Sequence, residues 1–150
     1  GNHELWYLAE SADKPETRTR TFFSHLPAVL AATIEGKKLY MVHASPPSSY
    51  MEGIRLLDDR GDVLPDRRQH WSDRLQGLEY DVLVVGHTHQ VFAERLAGML
   101  VINPGSTKFN HSCAILELPA LDFRVFPLSG RKLVKTWNWG TNQIAKSDTT

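Results

Sequence analysis

The sequence contains a single cysteine, Cys113, no long apolar run and no excess of either charge. One thiol cannot close an internal disulfide, and seven histidines beside it suit a reducing, cytoplasmic setting better than a secreted scaffold. The longest apolar runs, such as Val82–Val85 and Met99–Ile102, fall far short of the roughly 20 residues a membrane helix needs, so no membrane partner is expected. The opening residues do not read as a signal peptide. Seventeen Lys plus Arg balance seventeen Asp plus Glu, which leaves none of the basic surplus a general nucleic-acid binder uses to neutralise phosphates. A nucleotide-sized substrate is not excluded by that balance. What remains is 150 residues with 41% hydrophobic content, enough for one domain with a sizeable core.

Hydrophobic spacing orders that domain. Phe22, Phe23 and Leu26 predict a short helix over Thr17–Leu26, ended by Pro27. Ala32–Ile34 and Lys38–Val42 read as a hairpin through Glu35-Gly36-Lys37, with His43 at the end of its second strand. Met51, Ile54 and Leu57 recur at helical spacing, and so do Trp71, Leu75 and Leu78 after Pro65, with Asp66 as the expected cap. Val82–Val85 is apolar at every position, the pattern of a strand covered on both faces, and Gly86 breaks it just before His87. Further strands are expected at Val91–Leu96, Met99–Ile102, Ala114–Leu118 and Phe123–Phe126. Trp137 and Trp139 alternate like a strand but fit exposed surface equally, and the polar stretch 141–150 is expected to be a mobile tail outside a domain spanning 1–140.

Three segments carry candidate metal ligands at strand edges: Gly1-Asn2-His3-Glu4, Val42-His43-Ala44-Ser45-Pro46 and Gly86-His87-Thr88-His89. On an extended segment His87 and His89 face the same side, and Gly86 permits close backbone approach. Imidazole nitrogens serve manganese, iron, zinc or nickel, and the amide oxygen of Asn2 suits the harder members of that series. His25 and His70 lie in helical stretches without a partner pattern and are read as ordinary surface residues. Phe22, Met51 and Trp71 are assigned to packing, Asp58, Asp59 and Asp62 to a solvated acidic patch, and Asp81 to a strand opening on the surface. His111 with Lys108, and Arg67 with Arg68, are softer phosphate-contact candidates for which exposure is the preferred account.

Gly1-Asn2-His3-Glu4 and Gly86-His87-Thr88-His89 resemble the third and fifth signature motifs of the calcineurin-like metallophosphoesterases. His43-Ala44-Ser45-Pro46 is similar to the fourth, with Ala44 where the small bacterial and archaeal phosphodiesterase branch usually has glycine. Asn103-Pro104-Gly105-Ser106 also resembles a turn of that branch, and the likeness runs from Gly1 to about Phe126. The resemblance implies an α/β (α+β) fold, an αββα four-layer sandwich of two mixed sheets. It implies Asn2, His43 and His87 on one divalent metal ion and His89 on a second, manganese first and zinc, iron or nickel as alternatives. His3 is then the catalytic histidine, acting on the leaving oxygen of a small phosphoester while the two cations acidify a bridging water and offset phosphoryl charge. The first two family motifs, Asp-x-His and Gly-Asp, are absent. The chain opens inside the third motif at Gly1, with the first strands expected upstream; those two motifs, if encoded there, complete the two-metal centre, and this chain alone is expected to be inactive. The rival expectation is a non-catalytic interaction or scaffold module of the same fold; a third is a domain that holds a single metal ion by itself.

Overall fold

Apolar runs bounded by turn residues become the frame, and the computed structural model describes residues 1–13 and 15–137 of it. The helices are α1 (Asn2–Glu10), α2 (Arg18–Ser24) and α3 (Pro65–Arg74). The strands are β1 (Val29–Ile34), β2 (Lys37–Val42), β3 (Val82–Val84), β4 (Val91–Leu96), β5 (Met99–Pro104), β6 (Ser112–Glu117) and β7 (Asp122–Pro127). A five-stranded mixed sheet runs β1-β2-β3-β5-β4, and β6 and β7 form a second, two-stranded sheet. Strands β2, β3 and β5 are mutually parallel, with antiparallel β1 and β4 at the edges. Their carboxyl ends therefore open on one edge of the sheet, where open α/β sheets collect ligands.

The expected α/β sandwich is what the chain builds, with a second sheet that is antiparallel rather than mixed among the described residues. One face of the large sheet packs Val42, Leu83, Val85 and Val101 against Trp71 and Leu75 of the α3 region and Ile54, Leu56 and Leu57 of the long loop after β2. The opposite face sets Val82, Leu100 and Ile102 against Leu116 and Phe123 of the second sheet and Leu121 of the turn that joins its strands. Burial of each such side chain contributes about 1.5–3 kcal/mol. The small sheet does not reach the far end of that face: Leu30 and Met41, cross-strand partners, are each 46% exposed.

Several expectations are corrected. No helix forms over Met51–Leu57; that stretch is loop, with an isolated bridge between Leu57 and Val63. The helical spacing of its apolar residues is overridden because the backbone N–H groups of Leu56 and Leu57 are taken by the side chain of Gln90, at 2.8 and 3.0 Å. Asp66 does not cap α3; Leu64 is the N-cap residue, Pro65 is the first helical residue, and Asp66 lies in the first turn, where a carboxylate favours the helix dipole. Phe22 and Met51 are 61% and 62% exposed rather than packed, whereas Trp71 is buried. Asp81 does open a strand: its carboxylate accepts from Lys38 N and pairs with Lys37. Residues 133–137, whose role the spacing leaves open, run beside Gln90 and Val91, with Val91 N donating to Lys135 O and Thr136 bridging Gln90. Trp139 and the expected tail 141–150 lie outside the described residues.

Candidate metal centre

Three of the candidate ligands converge. Asn2 is the buried residue of α1, and its Oδ1 lies 2.7 Å from His43 Nε2. His87 Nδ1 stands 3.3 Å from the same nitrogen. Asn2 therefore comes from a helix start and not from a strand edge, while His43 and His87 follow β2 and β3, neighbouring parallel strands. Gly86 N donates to His43 O at 2.8 Å, which fixes the spacing of the two strand ends. A side chain at Gly1 would overlap the His43 ring, since an ideal Cβ there falls 2.5 Å from its Cε1. The helix start can lie flat against the imidazole only without one.

The segment around His87 and His89 is not extended. Both residues have left-handed backbones, φ 61° and 50°, a conformation that side-chain-bearing residues adopt at a cost and that the surroundings must hold in place. Four buried uncharged residues do so. Asn103 Nδ2 donates to Gly86 O and to Thr88 Oγ1, both at 3.1 Å, while Gly105 N donates to Asn103 Oδ1. Thr88 Oγ1 donates to Ile54 O at 3.0 Å. Asn110 Nδ2 donates to His89 O at 2.8 Å, and Gln90 ties the next residue to the long loop. The Asn103-Pro104-Gly105-Ser106 turn is thus the clamp of the histidine loop. Gln90 and Asn110 escaped notice in the sequence; their one signal is an amide set beside the apolar β4 run or the Ser112–Glu117 strand.

A cleft of about 440 Å³ gathers Asn2, His3, His43, His87 and His89, with Trp6, Met51, Gly53, Arg55 and Thr88 completing its wall. His3 is exposed at the rim, its ring edge-on to Trp6 at 4.9 Å. His89 stacks on Phe109 at 4.6 Å. Burial, with the neighbouring His87 adding to it, pushes His43 down to about 4, and burial lowers His87 and His89 as well. These imidazoles are consequently neutral near pH 7, the form that donates a lone pair to a metal ion. Bonds of about 2.0–2.2 Å at right-angled to tetrahedral geometry separate neighbouring donors by roughly 2.8–3.6 Å. The observed 2.7 and 3.3 Å lie at or close to that range, so the Asn2, His43 and His87 donor set fits one divalent ion. Among the described residues no group of three or more His, Cys, Asp or Glu side chains is arranged to hold a metal, because the third member here is an amide and no carboxylate joins the two imidazoles.

The other sequence candidates lie elsewhere. His25 Nδ1 sits 2.7 Å from Thr21 O within its own helix, His70 packs edge-on to Trp71, and His111 lies beside Arg131. Arg68 pairs with Glu94, and Lys108 lies over the Phe109 ring. Asp58 closes a local turn by accepting from Arg60 N and Asp62 N.

Residues 1–119 match the family model described as the calcineurin-like phosphoesterase superfamily domain. The chain belongs to that superfamily. Among solved structures, a hypothetical protein from Pyrococcus horikoshii is 15% identical with a TM-score of 0.53, over 88% of this chain and 50% of that one. An archaeal phosphodiesterase is 23% identical with a TM-score of 0.41, over 67% and 51%. Zinc-complexed Vps29 from Entamoeba histolytica is 19% identical with a TM-score of 0.39, over 65% and 51%. The first of these likenesses supports the calcineurin-like fold. No curated protein sequence matches. This superfamily member spans about half the length of the solved structures it resembles. The superfamily acts on phosphoesters and uses divalent metals, and among the described residues no helix is long and apolar enough to cross a membrane.

Proposed function

We propose that this chain supplies the histidine half of a metal-dependent phosphoesterase site, a phosphodiesterase or phosphatase acting on a small phosphoester in the cytoplasm. The observation that carries the reading is the convergence of Asn2, His43 and His87, neutral donors from three separated segments, in one cleft with His3 and His89. Asn2, His43 and His87 would hold one ion and His89 would serve a second, manganese being the first choice and zinc, iron or nickel the alternatives. Divalent ions bound here would acidify water and offset phosphoryl charge.

The protein's own groups set the rest. Burial keeps the ligand imidazoles unprotonated, so they compete well for metal near neutral pH. His3 stands at the exposed rim, edge-on to Trp6, where it can pass a proton to a leaving oxygen without being a ligand itself. The second reading is a scaffold of the same fold, which has no need of a complete metal centre.

The complete gene product, assayed on bis-p-nitrophenyl phosphate, should turn over only with added divalent metal. His3→Ala should lower kcat by about 10²–10⁴-fold while manganese content is unchanged. Full activity in that variant removes His3 from the reaction, and an inert, metal-free wild type favours the scaffold.

A further inference from the structure

We propose that Arg55 is the phosphoryl-binding residue of the cleft and sets its preference between phosphomonoesters and phosphodiesters, an inference that rests on the phosphoesterase reading above. Arg55 lies in the long loop after β2, between Ile54 and Leu56, both fully buried. The loop is anchored on each side of it: Ile54 O accepts from Thr88 Oγ1, and Leu56 N donates to Gln90 Oε1. Between these two anchors the Arg55 side chain is exposed, and it lines the cleft beside the candidate ligands.

Its charge is uncommitted among the described residues. Arg68, Arg74 and Arg124 each pair with a glutamate, Glu94, Glu52 and Glu117 respectively. Among the described residues no carboxylate stands within ion-pair distance of Arg55, and no Asp or Glu lines the cleft. Arg55 is thus the lining residue with a permanent charge, and that charge reaches the imidazoles, helping to disfavour protonation of His87 and His89. A site built for cations alone gains nothing from a guanidinium at its wall. A guanidinium is a rigid fork that takes two phosphoryl oxygens at once. The dianion of a phosphomonoester gains more from it than the monoanion of a diester, because the Coulomb energy scales with the charge.

The test is a steady-state comparison of p-nitrophenyl phosphate with bis-p-nitrophenyl phosphate, using the complete gene product loaded with manganese. Arg55→Gln should lower kcat/KM about 100-fold on the monoester and about 10-fold on the diester. Metal content and urea midpoint should not change, and Arg55→Lys, which keeps the charge without the fork, should recover part of each loss. Unaltered kinetics, or an equal loss on both esters, overturns the assignment. If the wild type hydrolyses neither ester, the phosphoesterase reading fails and inorganic phosphate binding by calorimetry judges Arg55 separately. Binding weakened at least about tenfold by Arg55→Gln sustains the anion site; absent or unaltered binding ends it.

Discussion

Replacing Gln90 by Met tests whether one buried amide holds the loop that carries Gly53 and Arg55. Gln90 is 1% exposed; its Oε1 accepts from Leu56 N and Leu57 N, and its Nε2 donates to Leu57 O at 2.9 Å. Methionine fills nearly the same volume, so no cavity enters the sum, and the loss is that of two backbone donors and one acceptor left buried without partners. Each such group costs about 1–3 kcal/mol, so three at the low end of that range sum to about 3 kcal/mol. At 2–4 °C per kcal/mol for a chain of this size, the melting temperature should fall by about 6–12 °C. In urea the midpoint should drop by about 1.5 M with the slope unchanged. A drop below about 0.5 kcal/mol would show that water replaces the three bonds and that the loop is held by its apolar packing and the Thr88 bond to Ile54 O.

Gly53→Ala places a Cβ 2.5 Å from Thr88 Cγ2 and 3.0 Å from His87 Cδ2, so Thr88 must shift and the adjoining His87 ring give way with it. Manganese affinity by calorimetry should fall about tenfold, as for other residues that orient a ligand, and wild-type affinity would contradict the close approach. His43 supplies a pH dependence: its folded value of about 4 lies below the ordinary 6.5, so the unfolded chain binds the proton first. The stability it provides is present above about 6.5 and is lost progressively as pH falls from there through about 4, with His87 and His89 acting in the same direction. Urea midpoints at pH 7.5 and 5.0 should differ accordingly, and His43→Gln should narrow the gap; equal wild-type midpoints would argue that the histidines are solvated.

The strands were readable because their signals are local. Val82–Val85 is apolar throughout, and the turns at Glu35-Gly36 and Ala97-Gly98 adopt the positive φ values that tight hairpins require. The candidate site was readable as a set of histidines next to strand ends, a position defined by chain order. Its internal geometry was not. The left-handed backbones of His87 and His89 are imposed by Asn103, Asn110 and Thr88, partners that lie up to 34 residues away in sequence through Ile54, and no local spacing encodes that. The same long-range bonding from Gln90 turns the helical spacing of Met51–Leu57 into loop. Arg55 is visible as a lone charge among apolar neighbours, but its cleft exists only once that loop has folded back.

The clamp on the histidine loop consists of amides and a hydroxyl, groups without a titratable proton near neutral pH. Shape and charge are thereby assigned to separate residues. Protonating the imidazoles as the solution is acidified alters what the cleft attracts while leaving the hydrogen bonds that outline it intact. Likewise, a descendant that exchanged His43 or His87 for other side chains would inherit the outline unchanged, and could turn it to a different occupant without having to rebuild the fold.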